Sequence, residues 1–139
     1  MTLDLVERSP AAGSGIVWTA VCRRDDLAPE RGAAALVAGE QVALFRLADG
    51  TVLAVQQRDP FSGAHVMSRG IVGSRGDAPT VASPMYKQVF DLRTGRCLDG
   101  VGREPQHLRT WPVRLEGDVV LVGAAAPVPR PGPTDGDAR

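Results

Sequence analysis

Apolar runs along this chain are short, and turn residues break them at roughly eight-to-twelve-residue spacing. Ile16 to Arg23 is rich in β-branched and aromatic residues and reads as a strand. Val42 to Leu47 leads through Ala48-Asp49-Gly50 into Thr51 to Val55. Asp-Gly between two apolar runs predicts a hairpin, because Gly tolerates the positive φ of the tight turn. Trp111 to Glu116 and Asp118 to Val122 flank Gly117 in the same way. Val113 and Leu115 alternate with Arg114 and Glu116, the pattern of a half-buried strand, whereas Val119 to Val122 is apolar throughout and predicts burial on both faces. Ala78 to Ala82 and Gln88 to Leu92 add two strands, and Thr94-Gly95 makes the next turn. Only Ala28 to Ala35 has helical character, and Pro29 and Gly32 limit it to a turn or two. Short strands without a long helix predict an all-β sandwich or small barrel.

At 139 residues the chain is one domain by length, with enough residues for a core that needs no metal or disulfide staple. Residues 1–15 end in Ser9-Pro10-Ala11-Ala12-Gly13-Ser14-Gly15 and read as a flexible lead-in. From Ala124 the chain carries Pro127, Pro129, Pro131 and Pro133 and reads as a disordered tail, since Pro cannot donate to a sheet. The domain is therefore expected over 16–123. Sixteen basic and sixteen acidic residues cancel, so no global field draws nucleic acid or an anionic membrane. The acidic start has no apolar core of a signal peptide, no stretch has the length of a membrane span, and two distant cysteines make no disulfide framework. These features together predict a soluble cytoplasmic protein.

Two loops carry the candidate chemistry. The first reads Gln57-Arg58-Asp59-Pro60-Phe61-Ser62-Gly63-Ala64; the second runs from Ser83-Pro84-Met85-Tyr86-Lys87-Gln88 through Phe90-Asp91 to Thr94-Gly95. Both resemble the cluster-binding loops of Rieske iron–sulfur proteins. That family uses Cys-x-His-x-Gly in the first loop, and Cys-Pro-x-His followed by Phe-Asp-x-x-Thr-Gly in the second. Its two thiolates hold one iron and its two imidazoles the other. In this chain the Cys positions are Asp59 and Ser83, and the His positions are Phe61 and Tyr86. Phe61 has no lone pair to give, and the oxygen donors Asp59, Ser83 and Tyr86 do not replace soft thiolates and imidazoles. The scaffold is thus expected to be retained without its redox centre.

A ligand-free loop reading Ser-Pro-Met-Tyr-Lys-Gln-x-Phe, followed by Gly95-Arg96-Cys97-Leu98, is similar to the small subunits of bacterial NAD(P)H-dependent assimilatory nitrite reductases. The resemblance runs from about Trp18 to about Gly123. It implies a Rieske-like β-sandwich with a degenerate cluster-binding subdomain inserted at about 57–99. It implies no cofactor, metal or catalytic residue on this chain. The expected partner is a large subunit carrying sirohaem, an iron–sulfur cluster and FAD, which reduces nitrite to ammonium with NAD(P)H.

The candidate partner-binding residues are Asp59, Phe61, Met85, Tyr86 and Lys87. Asp59-Pro60 reads either as a simple turn or as a loop tip facing the partner. Phe61 either fills the space of the missing cluster or anchors an interface. Tyr86 either packs on Phe61 and hydrogen-bonds a carbonyl, or joins Met85 and Lys87 in a contact surface. A Tyr86 general acid lacks a second catalytic group. His65 near Asp59 is too small a donor set for a metal, and His107, Cys22 and Cys97 read as loop or packing residues. Arg69, Arg75, Arg93, Arg96 and Arg103 are either solvated or, if they share a face, suited to an acidic patch or a phosphate-bearing cofactor. Two other functions compete with the accessory subunit. A Rieske ferredoxin-type electron carrier needs the four ligands; a stand-alone β-barrel binding module for single-stranded nucleic acid needs a basic groove with exposed aromatics.

Overall fold

The computed structural model describes residues 15–125; the expected tail from 126 onward and the lead-in before Gly15 lie outside them. Eleven strands follow in chain order: β1 (Ile16–Arg23), β2 (Gly32–Val37), β3 (Glu40–Arg46), β4 (Val52–Gln56), β5 (Ile71–Arg75), β6 (Ala78–Ala82), β7 (Val89–Asp91), β8 (Cys97–Asp99), β9 (Thr110–Trp111), β10 (Val113–Glu116) and β11 (Val119–Ala125). They form three antiparallel sheets, in the orders β1-β11-β10, β2-β3-β4-β9 and β5-β6-β7-β8. The fold is all-β, as the spacing of apolar runs predicts.

The middle sheet explains the layering. Along β3, Val42 and Leu44 enter a core shared with Val120, Val122 and Trp111. Ala43 and Phe45 point the other way, into a core shared with Val81, Phe90, Leu92 and Cys97. Alternate side chains of a strand leave on opposite faces, so a strand covered on both sides must be apolar at every position. Val42-Ala43-Leu44-Phe45 meets that demand, and all four are buried. The β5–β8 sheet therefore sits on the back of the middle sheet; the loop after β4 leads into it and the loop at 83–88 joins its strands β6 and β7.

Three local expectations are corrected. Gly32–Val37, which overlaps the segment 28–35 read as helical, is strand β2 paired with β3. The Ala-rich sequence favours a helix locally, but Ala33 and Ala35 pack against the first core, and tertiary burial outweighs propensity. A side chain at Gly32 would strike the Ser68 carbonyl, so this position needs Gly for close approach rather than as a helix breaker. Leu115, expected to be buried, is exposed, because β10 is an edge strand of its sheet. Strand β11 continues through Ala124 and Ala125, which pair with Val17 and Ile16, so the folded part extends two residues past the expected boundary. Val120, Leu121 and Val122 are fully buried as predicted. Strands β5 and β8 were not legible, because Ile71–Arg75 and Cys97–Asp99 are mostly exposed and lack an apolar pattern.

Candidate functional site

Each loop closes on its own backbone before it meets the other. In the first, the Asp59 N–H donates to the Ala64 carbonyl at 2.8 Å, and the Gly63 N–H returns to the Asp59 carbonyl at 2.7 Å. Gly63 holds φ +81°, which the return requires of a residue without Cβ. An isolated antiparallel bridge between Arg58 and His65 closes the base. In the second, the Ser83 N–H donates to the Gln88 carbonyl at 2.9 Å, and the Lys87 N–H to the Ser83 carbonyl at 3.1 Å. Lys87 takes φ +66°, an uncommon conformation for a residue with a side chain.

One buried pair joins the loops. The Ser83 hydroxyl donates to Oδ2 of Asp59 at 2.6 Å, within the short range of hydroxyl–carboxylate bonds. Both residues are almost completely excluded from solvent. Each also organises its own loop: Oδ1 of Asp59 accepts the Phe61 N–H at 2.8 Å, and the Ser83 Oγ accepts the Met85 N–H at 3.1 Å. The positions that match the two thiolates of the Rieske pattern are thus bonded directly to each other. Asp59 is therefore not a surface residue at the tip. It is removed from the contact set and becomes the internal clasp of the two loops.

The remaining candidates separate by depth. Phe61 is half-buried against the second core, its ring centroid 6.1 Å from that of Phe90, and the Arg103 guanidinium lies 5.9 Å above its face. Phe90, and not Tyr86, is the ring that Phe61 meets. Tyr86 is 52 % exposed and Met85 44 % exposed, with Lys87 exposed beside them. The packing role considered for Tyr86 is not the one it takes. Gln88, directly behind this exposed trio, is fully buried, and neither its amide nitrogen nor its amide oxygen finds a partner among the described residues.

The donor set does not fit a [2Fe–2S] cluster. Asp59 and Ser83 spend their oxygens on each other and on backbone amides, Phe61 has none, and the Tyr86 ring is exposed to solvent. Neither thiol lies in a loop: Cys97 is packed in the second core, and burial first, with Asp26 adding to it, pushes the Cys22 thiol up in β1. No three of His, Cys, Asp and Glu gather to hold a metal ion among the described residues. His107 accepts the Cys97 N–H at its Nδ1, 2.9 Å away, and so holds the strand after the second loop.

A shallow groove of about 390 Å³ lies on the flank of the first loop, lined by Arg58, His65, Glu40, Arg109 and Trp111 among others. Arg109 stacks 4.5 Å over Trp111 and donates to Glu40 at 2.9 Å. That hydrogen bond is the main reason the Glu40 carboxyl is held below the usual carboxylate range.

Known proteins resemble this chain over most of the described residues. Residues 17–123 match the Rieske-like [2Fe-2S] domain family. The Salmonella typhimurium protein named nitrite reductase (NADH) small subunit is 42 % identical over 104 residues, covering 74 % of this chain and 94 % of that protein. This chain belongs to the nitrite reductase small-subunit family. A crystal structure of a candidate NADH-dependent nitrite reductase small subunit from Mycobacterium tuberculosis superposes with a TM-score of 0.74 at 48 % identity, covering 80 % of this chain and 97 % of that one. A Klebsiella oxytoca protein named nitrite reductase [NAD(P)H] large subunit is 42 % identical over 106 residues; that match takes in 76 % of this chain and only 11 % of the larger protein. Membership places this chain within an oxidoreductase family. Sequence reasoning singled out the two loops, but missed the Asp59–Ser83 bond, the burial of Gln88 and the position of Arg103. The first two need a tertiary contact to be seen; the third is hinted at only by the glycines at 100 and 102.

Proposed function

We propose that this chain is the small subunit of a cytoplasmic NAD(P)H-dependent nitrite reductase, carries no cluster of its own, and docks on the large subunit through the tip of its two loops. The large subunit then supplies the flavin, the iron–sulfur cluster and the sirohaem at which nitrite becomes ammonium. The observation that carries the docking face is the exposed Met85-Tyr86 pair, held on a loop that the Asp59–Ser83 bond fixes to its neighbour. Large side chains left in solvent on a rigid, internally bonded loop are suited to burial by a partner. A matching stretch within the Klebsiella oxytoca large subunit supports an assembly in which this domain and the catalytic subunit work side by side. No helix among the described residues is long and apolar enough to cross a membrane.

Titration of the purified large subunit with the wild-type chain and with Tyr86→Ala tests this reading. A colourless wild-type chain that binds, with the variant weaker by roughly tenfold, is expected for an aromatic at the centre of an interface. Equal binding by both would move the docking face elsewhere, and a brown chain with iron–sulfur absorption would contradict the cluster-free reading.

A further inference from the structure

Of the basic residues in and around the inserted region, some are engaged by the fold and others, Arg69 and Arg96 among them, are exposed without an ion pair among the described residues. Arg75 faces Asp99 at 3.6 Å, and Arg93 donates to the Asp77 carbonyl at 3.4 Å. Both are thereby engaged along the β5–β8 sheet. Arg103 is different. A turn bonded from the Arg103 N–H to the Gly100 carbonyl at 3.1 Å carries it over Phe61. A side chain at Gly100 would collide with the Arg103 carbonyl, so this approach depends on the glycine. Lys87 follows Tyr86 with φ +66° on the second loop, and Arg58 opens the first loop, its guanidinium lying beside Gly63.

Arg58, Lys87 and Arg103 are all exposed, and none makes an ion pair among the described residues. Arg103 and Lys87 sit next to residues held by the same clasp. Phe61, under Arg103, and Met85, two residues before Lys87, hang by their N–H groups from Asp59 and Ser83. Within residues 57–64 and 83–88 the one acid is Asp59, and its carboxylate is buried against Ser83. These two segments thus present the half-buried Phe61 and the exposed Met85 and Tyr86 with Arg58 and Lys87 in no ion pair and no exposed acid, while Arg103, over Phe61, is followed by the exposed Glu104.

We infer that the tip recognises an acid-rimmed apolar surface on the partner protein, with Lys87 and Arg103 meeting carboxylates while Met85 and Tyr86 are buried between them. The inference rests on the docking reading above and adds the chemistry of the partner's face. Unpaired rim charges around an apolar centre steer encounter and fix orientation more than they add affinity, so their signature is salt dependence and association rate. A phosphate-bearing cofactor, the other occupant open to these arginines, is a less suitable match. It calls for guanidinium groups converging on one small anion, whereas here the Arg103 guanidinium sits over the Phe61 ring and Lys87 stands on the second loop.

The test measures binding of the full chain to the purified large subunit across sodium chloride from low to high concentration. Wild type, Lys87→Glu/Arg103→Glu, and Arg114→Glu on the barrel strand β10 are compared, with melting temperatures taken for all three. The inference predicts that wild-type affinity falls with salt and that the double variant binds at least roughly tenfold more weakly with a flattened salt slope, while Arg114→Glu follows wild type. Wild-type binding that is weakened by Tyr86→Ala but is indifferent to salt and to the double reversal overturns this inference and leaves the docking reading intact. Absence of any wild-type complex overturns the docking reading itself. Loss of binding by Arg114→Glu equal to that of the double variant would show a bulk-charge effect and also overturn the inference. Should the double variant melt early, Lys87→Gln and Arg103→Gln, which remove charge without reversing it, carry the same comparison.

Discussion

Asp59 and Ser83 show how two loops can be held together by a direct side-chain bond. Two short polar side chains, buried together, make one direct bond and cap two backbone amides. Removing either leaves buried polar groups without partners. Asp59→Ala and Ser83→Ala are each expected to lower unfolding free energy by about 1–3 kcal/mol in urea titration. The double variant should lose clearly less than the sum, because the shared bond is counted once. Full additivity would mean that the two loops are held by something else. Gln88 makes the opposite prediction. Its buried amide has no partner among the described residues, so Gln88→Met, close in shape and apolar, is expected to leave stability unchanged or raise it by up to about 1 kcal/mol. A clear loss would show that the amide is satisfied after all. Glu40 titrates with a definite sign. Its carboxyl is held low by Arg109, so its contribution is present above the ordinary carboxylate range and is lost as pH falls through its depressed value. The pair is half exposed, so Glu40→Gln should cost under about 1 kcal/mol near neutrality, a difference that disappears in strongly acidic urea titrations.

At the scale of elements, the second loop is anchored at its far end by the turn from Asp91 to Gly95. The Asp91 carboxylate accepts the Arg93 N–H at 2.7 Å, and the Gly95 N–H returns to the Asp91 carbonyl at 2.7 Å. Gly95 holds φ +78°, and a Cβ there would collide with the Leu108 carbonyl, while the Leu108 N–H donates to the Gly95 carbonyl at 2.8 Å. Gly95→Ala is therefore expected to destabilise by more than about 2 kcal/mol, read by thermal or urea unfolding, since strain and collision act together. A near-neutral result would mean that this turn can shift without cost. The same turn shows what the sequence makes legible. Thr94-Gly95, the Asp49-Gly50 hairpin and the Gly117 turn announce themselves, because positive φ selects Gly at the level of a single residue. Strand β2 does not, because what makes Gly32–Val37 extended is the core beneath Ala33 and Ala35 and the carbonyl of Ser68, both supplied by distant parts of the chain. The candidate site divides along the same line. The residues at the Rieske ligand positions are visible one at a time. The clasp between residues 59 and 83 and the placement of Arg103 over Phe61 are long-range contacts with no local signature.

On the scale of the whole molecule, the middle sheet is a wall with a core on each side, and Val42–Phe45 serves both. The middle sheet and the core in front of it give the β5–β8 sheet a rigid base, and the loops at that sheet expose Met85, Tyr86 and Lys87. The central claim is that this tip meets the large subunit. Backbone amide spectra of the isotope-labelled chain, recorded while the large subunit is added, test it most directly. The account predicts that shifts or intensity losses begin at Phe61, at Met85 to Gln88 and at Arg103, with the amides of β1, β10 and β11 the last to respond. Early changes confined to the β1-β11-β10 sheet, or no change at concentrations where the complex forms, would contradict it.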